Sequence, residues 1–341
     1  MKPRLGRTLD RLVRRRNGRG LILLYHRVAA LEIDPQLLCV EPTRFAEHLE
    51  VLGDLTTPVP LSRIREASAE AGPVPVVVTF DDGYADNLVS AAPMLKARRI
   101  PATIFVVSGL VGADREFWWD ELERALLVEN EVPSSLELQL DGDVVRFGLG
   151  DGRIGDPRWN VLDETVPSPR QAAYRVLARR LSGLDPLVRN GVIDELRRWA
   201  GISGGARATH RVLDEGGLRR LDALELVEVG AHTMSHPSLG MLSRERQRDE
   251  IRGSKRRLED LLGQRISSFS YPFGGSADYS QETVRAVAEA KFEFACINVE
   301  GRVGPNTDHL RLPRVIVRNW DRGEFERRLH GWMAASRLPQ G

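Results

Sequence analysis

Two short stretches of this 341-residue chain hold residues that could do hydrolytic chemistry together. Thr79-Phe80-Asp81-Asp82-Gly83-Tyr84 places two adjacent carboxylates at the end of an apolar run, Val74 to Phe80. His232-Thr233-Met234-Ser235-His236 places two imidazoles four residues apart, just after the apolar run Leu226 to Ala231. Two His and one Asp with an open coordination position are a common ligand set for a catalytic zinc. An adjacent carboxylate can serve as general base beside the metal. Neighbouring side chains of an extended segment point opposite ways, so Asp81 and Asp82 can do different jobs at one strand end. The His spacing suits one face of a helical turn or a tight loop, and Pro237 limits any helix there. Alone, Asp-Asp-Gly would read as a solvated turn and the His pair as hydrogen-bonding neighbours. Together, each at a strand end, they favour a metal-dependent hydrolase.

These residues need a frame that brings strand ends together. Apolar runs recur at Leu21–Tyr25, Val74–Phe80, Thr103–Val107, Leu226–Ala231, Ile266–Tyr271, Phe292–Ile297 and Leu312–Val317. Several are nearly continuous in apolar and β-branched residues, the pattern of strands buried on both faces of a parallel sheet. Helical patterns lie between them: Thr43–Gly53, Leu88–Arg98, a helix capped by Ser243 and ending near Gly263, and another from Ser280 to Ala290. The alternation predicts an α/β fold. His26, Asp81, Asp82, His232 and Tyr271–Phe273 then all fall at C-terminal strand ends, the rim where parallel barrels build their sites.

Residues 113–215 interrupt the alternation. Ser135–Leu140, Asp141-Gly142 and Val144–Phe147 read as a β-hairpin, Gln171–Leu181 and Leu187–Trp199 as helices. The segment is expected to be an inserted α+β subdomain. Phe117-Trp118-Trp119 opens it, either as a sugar-binding wall near the rim or as a pin holding the insertion to the barrel.

The same motifs carry a resemblance. T-F-D-D-G-Y, H-T-M-S-H and Ser270-Tyr271-Pro272-Phe273-Gly274 resemble the first three motifs of the polysaccharide deacetylases, carbohydrate esterase family four. Leu24-Tyr25-His26-Arg27-Val28 resembles the opening of a subgroup whose motif order is circularly permuted. The resemblance covers Leu21 to about Gly112 and Gly216 to about Trp320. It implies a distorted (β/α) barrel of about seven parallel strands, spanning 21–112 and 216–335, with 113–215 inserted and a basic arm at 1–20. It further implies Asp81 as general base and Asp82, His232 and His236 as ligands of a divalent metal. Zinc is the default, though such ligands also accept cobalt, nickel, iron or manganese. His26 resembles the permuted counterpart of the family's proton donor, with His309 as runner-up. The Phe273 backbone N–H corresponds to an oxyanion donor, and Tyr271 and Pro272 accompany it as substrate contacts. The usual third motif opens with an Arg that orients the base. Ser270 stands there, and Arg314 on a late strand is the candidate replacement. The implied reaction removes N-acetyl groups from N-acetylhexosamine units of a polysaccharide or its saccharide precursor. An O-acetyl esterase and an inactive sugar-binding protein on the same scaffold are the rivals.

Bulk properties narrow the setting. Hydrophobic residues at 42% and charged residues at 28% are those of a globular protein, and a net charge of +1 argues against a general nucleic-acid binder. The charge is uneven: residues 1–20 hold eight basic side chains against Asp10 alone. Such an arm is either a solvated terminus or a peripheral contact with anionic membrane. Leu21–Tyr25 is shorter than the apolar part of a signal peptide, and Cys39 and Cys296 read as reduced thiols. The expectation is a cytoplasmic protein, with the arm allowing work at the inner membrane face. The tail after Ala335 is read as disordered.

Overall fold

A computed structural model describes residues 18–129, 131–140, 142–150 and 152–335. Most of the basic arm and the tail after Ala335 lie outside the described residues. The strands are β1 Leu21–Tyr25, β2 Arg27–Val28, β3 Cys39–Val40, β4 Thr56–Pro58, β5 Val74–Phe80, β6 Ala102–Val106, β7 Ser135–Leu140, β8 Asp143–Gly148, β9 Val227–Ala231, β10 Ser268–Ser270, β11 Phe294–Ile297, β12 Leu312–Pro313 and β13 Val315–Ile316.

The main sheet runs β12-β11-β10-β9-β6-β5-β1-β13, with β4 added beside β5, and its pairings are parallel. β12 and β13 are two halves of one run, separated only by Arg314. Leu312 pairs with Cys296 on one side and Val315 with Leu23 on the other, so this run touches both ends of the sheet. Counted as one interrupted strand it is the seventh, and it brings the sheet round into the expected distorted (β/α) barrel.

The barrel strands are buried on both faces over most of their length. Leu21, Leu23, Tyr25, Val76, Val78 and Phe80 pack outward with Phe45, Leu49 and Leu52 of the helix Pro42–Leu55. The alternate residues Ile22, Val77, Phe105, Cys296 and Leu312 form a separate interior cluster. Alternation of side chains across a strand forces this division. Along β5 the inward register continues from Val77 to Thr79 and then to Asp81, so the interior turns from apolar to polar toward the C-terminal rim. Both cysteines are buried free thiols.

Local signals set the helix ends. Ser243 accepts from the Arg246 N–H, and Gly263 ends that helix, Arg244–Leu262, in the left-handed region at φ +70°. Ser280 and Thr283 form a reciprocal capping box on Gln281–Glu289.

In the interrupting segment, β7 and β8 pair as the expected antiparallel hairpin, burying Leu136, Leu138 and Leu140 on one face. Helices Trp118–Glu123, Pro169–Leu181 and Pro186–Trp199 complete it. It has its own core, including Leu122, Tyr174, Leu177 and Leu196, which reaches Tyr84 and Val107 of the barrel. No helix among the described residues is long and apolar enough to cross a membrane.

Candidate active site

β5 ends at Phe80, and Asp81 follows as an inward, fully buried carboxylate. Arg314, placed between β12 and β13, donates to both its oxygens, Nη1 to Oδ1 at 2.7 Å and Nη2 to Oδ2 at 2.6 Å. Ser270 at the end of β10 donates to Oδ2 at 3.1 Å and accepts from Arg314 at 2.8 Å. Asn298, just after β11, accepts from Arg314 Nε at 3.1 Å. Burial by itself would raise the Asp81 carboxyl. Arg314 overrides it, helped by His232 and His26, and holds the group below the usual carboxylate range.

The chain then turns through Asp82 at φ +79° and Gly83 at +81°. This breaks the alternation and swings Asp82 away from Arg314. Its Oδ1 lies 3.8 Å from His232 Nε2 and 3.5 Å from His236 Nε2. Burial, then the charge of Asp81, push the Asp82 carboxyl well above its usual value. Burial lowers both imidazoles, His236 strongly.

His232 follows β9, and its Nδ1–H donates to the Ser270 carbonyl at 2.7 Å. That bond fixes the tautomer and leaves the Nε2 lone pair facing Asp82. His236 is reached through a tight loop in which Thr233 has φ +66° and His236 φ +53°. Backbone strain of this kind costs on the order of 1–3 kcal/mol per residue and must be held from outside. Glu250 of the helix Arg244–Leu262 accepts from the N–H groups of Met234 and Ser235 at 2.8 and 2.9 Å. Arg189 of the interrupting segment donates to the carbonyls of His236 and Ser235 at 3.2 and 2.8 Å. Gly109, after β6, donates to the Met234 carbonyl at 3.0 Å, and a Cβ there would stand 2.3 Å from that oxygen.

One ligand atom each from Asp82, His232 and His236 lie within 4.8 Å of one another. Asp82 Oδ1 is buried with no hydrogen-bond partner among the described residues. An orphaned buried carboxylate oxygen is unfavourable, and a divalent cation held by two imidazoles and this oxygen would satisfy it. The residues therefore fit such an ion. A second group, Asp120, Glu123 and His210, is equally close. There Arg207 bonds Glu123 at 2.9 Å and the Tyr84 hydroxyl donates to Asp120 at 2.7 Å, so that group is an internal ion and hydrogen-bond network.

A cavity of about 470 Å³ opens over Asp81, Asp82, His232 and His236. His26, one residue beyond β1, lines it as well, and so do Phe273 and Asn298. Burial lowers the His26 imidazole to about 3 against the pull of Asp81, so it rests neutral at pH 7. Phe273 sits at φ +58°, its carbonyl accepting from the Asn298 amide at 2.7 Å. Trp118 and Trp119 also line the cavity. Trp119 also donates to the Tyr84 hydroxyl at 2.8 Å and stacks on Phe117, contacts that pin the segment to the barrel.

Three other residues named from the sequence lie outside the cavity lining. Tyr271 is fully buried, its hydroxyl donates to the Leu310 carbonyl at 3.0 Å, and its ring packs edge-on against Phe269. Pro272 is buried and outside the cavity lining. His309 is exposed and precedes β12, at the N-terminal end of that strand and so away from the rim. Sequence reasoning missed Glu250, Arg189 and Asn298. Glu250 lies in a helix crowded with charge, and only Pro237, by demanding a constrained loop, hinted that something must hold it.

The fold and site thus define a parallel (β/α) barrel with a candidate metal triad and an arginine-clamped carboxylate at its C-terminal rim. Residues 69–134 and 205–295, a little under half of the chain, match the family model described as polysaccharide deacetylase. The Bacillus subtilis protein YxkH, which carries the same family name, is 28% identical over 125 residues, covering 34% of this chain and 43% of that relative. The chain thus matches less than half the length of that curated relative. Among solved structures, the Streptococcus pyogenes deacetylase PplD in complex with acetate is similar over 92% of this chain and 98% of its own, at 17% identity and a TM-score of 0.56. IcaB from Ammonifex degensii is similar over 94% and 98%, at 16% identity and a TM-score of 0.55. At these identities the likeness is one of fold.

Proposed function

We propose that this protein is a metal-dependent hydrolase that removes N-acetyl groups from N-acetylhexosamine units of a polysaccharide or its saccharide precursor. The observation that carries the reading is the orphaned, buried Asp82 Oδ1 between two imidazoles, beside a carboxylate that Arg314 keeps ionised, at the floor of one cavity. Asp82, His232 and His236 would hold the ion. Bound there, a divalent cation such as zinc supplies Lewis acidity toward the acetyl carbonyl and lowers the pKa of water.

The chain's own residues do the rest. Asp81 accepts the proton of the attacking water, and Arg314 with Ser270 aims its oxygens. The Phe273 backbone N–H donates to the developing oxyanion, worth on the order of 3 kcal/mol. His26 delivers a proton to the departing nitrogen. It rests neutral and takes the proton it delivers from solvent as negative charge grows on the reacting carbonyl, while the proton that Asp81 drew from the water is released with the products. Trp118, Trp119 and Phe273 offer the apolar faces on which a sugar ring can lie. The PplD deacetylase was solved in complex with acetate, which suits a deacetylating use of the shared fold.

The decisive test measures bound metal and acetate release together. His232→Ala and His236→Ala should abolish both while the circular dichroism spectrum is retained. Purified wild-type protein that takes up no stoichiometric divalent metal on reconstitution would overturn the reading. Ester hydrolysis at the same site is the second possibility, since only the leaving group differs. A panel of N- and O-acetylated saccharides separates the two.

A further inference from the structure

The wall of the cavity opposite the rim is built by the interrupting segment. Arg175 and Ala178 and Arg179 of the helix Pro169–Leu181, with Ser182 just past its end, all line it. Positions i, i+3, i+4 and i+7 make one helix face, so a single face looks across at Asp82 and the imidazoles. That face holds two arginines at i, i+4, a spacing at which like charges repel.

Neither is paired with a carboxylate among the described residues. Arg175 donates to the backbone carbonyl of Asp163 and lies 5.0 Å over the Trp159 ring, while its Nε is buried with no partner among the described residues. Arg179 is exposed at the cavity wall, with no ion pair among the described residues. Some other arginines of this segment do have carboxylates, Arg207 from Glu116 and Glu123 and Arg115 from Glu121 and Asp194, but neither lines the cavity. The two carboxylates that line the cavity cannot reach over to help, since Asp81 is committed to Arg314 and Asp82 to the ligand cluster. The cationic wall is therefore left for a ligand. Guanidinium groups match phosphate and carboxylate oxygens in a two-pronged geometry. A volume of about 470 Å³ is within the range of small-ligand sites, so one saccharide can touch both walls.

We infer that the substrate is an anionic acetamido saccharide, carrying a phosphate or a carboxylate that Arg175 and Arg179 hold while the acetamido group lies at Asp82, His232 and His236. This rests on the deacetylase reading and narrows it.

The test compares three probes: N-acetylglucosamine 1-phosphate, a disaccharide of N-acetylglucosamine and a uronic acid, and neutral di-N-acetylchitobiose. Wild type and Arg175→Gln/Arg179→Gln, both zinc-loaded, are assayed for acetate release. At least one anionic probe should have a higher kcat/KM than the neutral one, and the double variant should lose about 10- to 100-fold of that preference, mainly through KM. Whichever anion is preferred identifies the chemistry. A second arm titrates metal-free protein calorimetrically with N-acetylglucosamine 1-phosphate and with the uronic-acid disaccharide, where the double variant should bind the preferred one weaker by a similar factor. Equal turnover of neutral and anionic probes, with no change of ratio in the variant, overturns the inference and leaves the hydrolase standing. Absence of acetate from every probe strikes the hydrolase reading instead, and the calorimetric arm then still decides the anion site. Arg179→Gln alone alters only an exposed side chain and serves if the double variant is unstable.

Discussion

At the scale of single residues, the site divides two adjacent aspartates by one backbone turn. Asp81 keeps the inward register of β5 and meets Arg314, whereas Asp82, at φ +79°, leaves it and meets the imidazoles. Asp81→Asn should keep the bound metal and lose turnover. Asp82→Asn should lose metal occupancy, as read by elemental analysis, and equal loss in both variants would defeat the division. Arg314 has a structural consequence too. Removing one partner of a buried pair leaves an uncompensated charge, so Arg314→Met should destabilise the protein by about 3–5 kcal/mol in denaturant titration. His26→Ala should slow acetamide hydrolysis by about 10²–10⁴-fold while sparing an activated aryl acetate, whose leaving group needs little proton transfer. Normal acetamide turnover in that variant would remove His26 from the scheme. The pair of Asp and the pair of His were legible because their types and spacing are chemical in themselves. The Asp81–Arg314 bond joins residues 233 positions apart, so only closure of the barrel could pair them. The direction of the Tyr271 ring was not legible, because the sequence cannot say which way a ring turns after a strand ends, and here it turns into the core.

At the scale of elements, the strained loop Thr233–His236 is the least self-sufficient part of the site, and two elements hold it. Glu250, from the helix Arg244–Leu262, takes its N–H groups, and Arg189, from Pro186–Trp199, takes its carbonyls. Donors and acceptors of one loop are thus fixed from opposite sides. Neither residue reaches the ligand cluster, yet both set where His236 points. Glu250→Gln and Arg189→Met should therefore weaken zinc binding, and about 10- to 100-fold is the usual scale for groups that orient ligands. A chelator competition titration reads this directly, and unchanged affinity in both would show that the loop keeps its shape unaided. The helices themselves were legible from Ser243, Gly263 and Ser280, because caps are local signals. Strands were legible as apolar runs, though Leu312–Val317 gave no sign of its break at Arg314. The break falls where the run changes partner from β11 to β1, and Arg314 there shares the inward face of Leu312 and reaches Asp81.

At the scale of the whole molecule, the barrel depends on joining its first and last strands, and His48 ties their outer helices. It lies in Pro42–Leu55, accepts from the Tyr25 hydroxyl at Nδ1 (3.3 Å), and donates from Nε2 to the Trp320 carbonyl at 2.8 Å. Its ring stacks on Phe325 of the helix Arg322–Ala334, centroids 4.0 Å apart. A neutral imidazole satisfies both bonds, and a proton on Nδ1 would turn the acceptor into a donor facing another donor. Burial lowers its pKa to about 4, against the Trp320 carbonyl, which favours the charged form. The sign follows. The unfolded chain takes up this proton near its ordinary value of 6.5, and the folded chain refuses it until about 4. The stabilisation is therefore complete above pH 6.5 and is lost as pH falls toward 4, at a slope approaching about 1.4 kcal/mol per pH unit. Other buried groups titrate as well, among them Asp120, which burial raises to about 8. Only a difference between variants isolates His48. His48→Gln keeps an amide donor for Trp320 and has no proton to gain. It should be less stable than wild type at pH 7.5, and the gap should narrow between pH 6.5 and 4.5 by close to one proton's worth of slope. Urea midpoints at five or six pH values, in the presence of chelator for both proteins, supply the comparison. Parallel stability curves across that window would mean that the barrel seam tolerates a charged His48, and that acid sensitivity arises elsewhere.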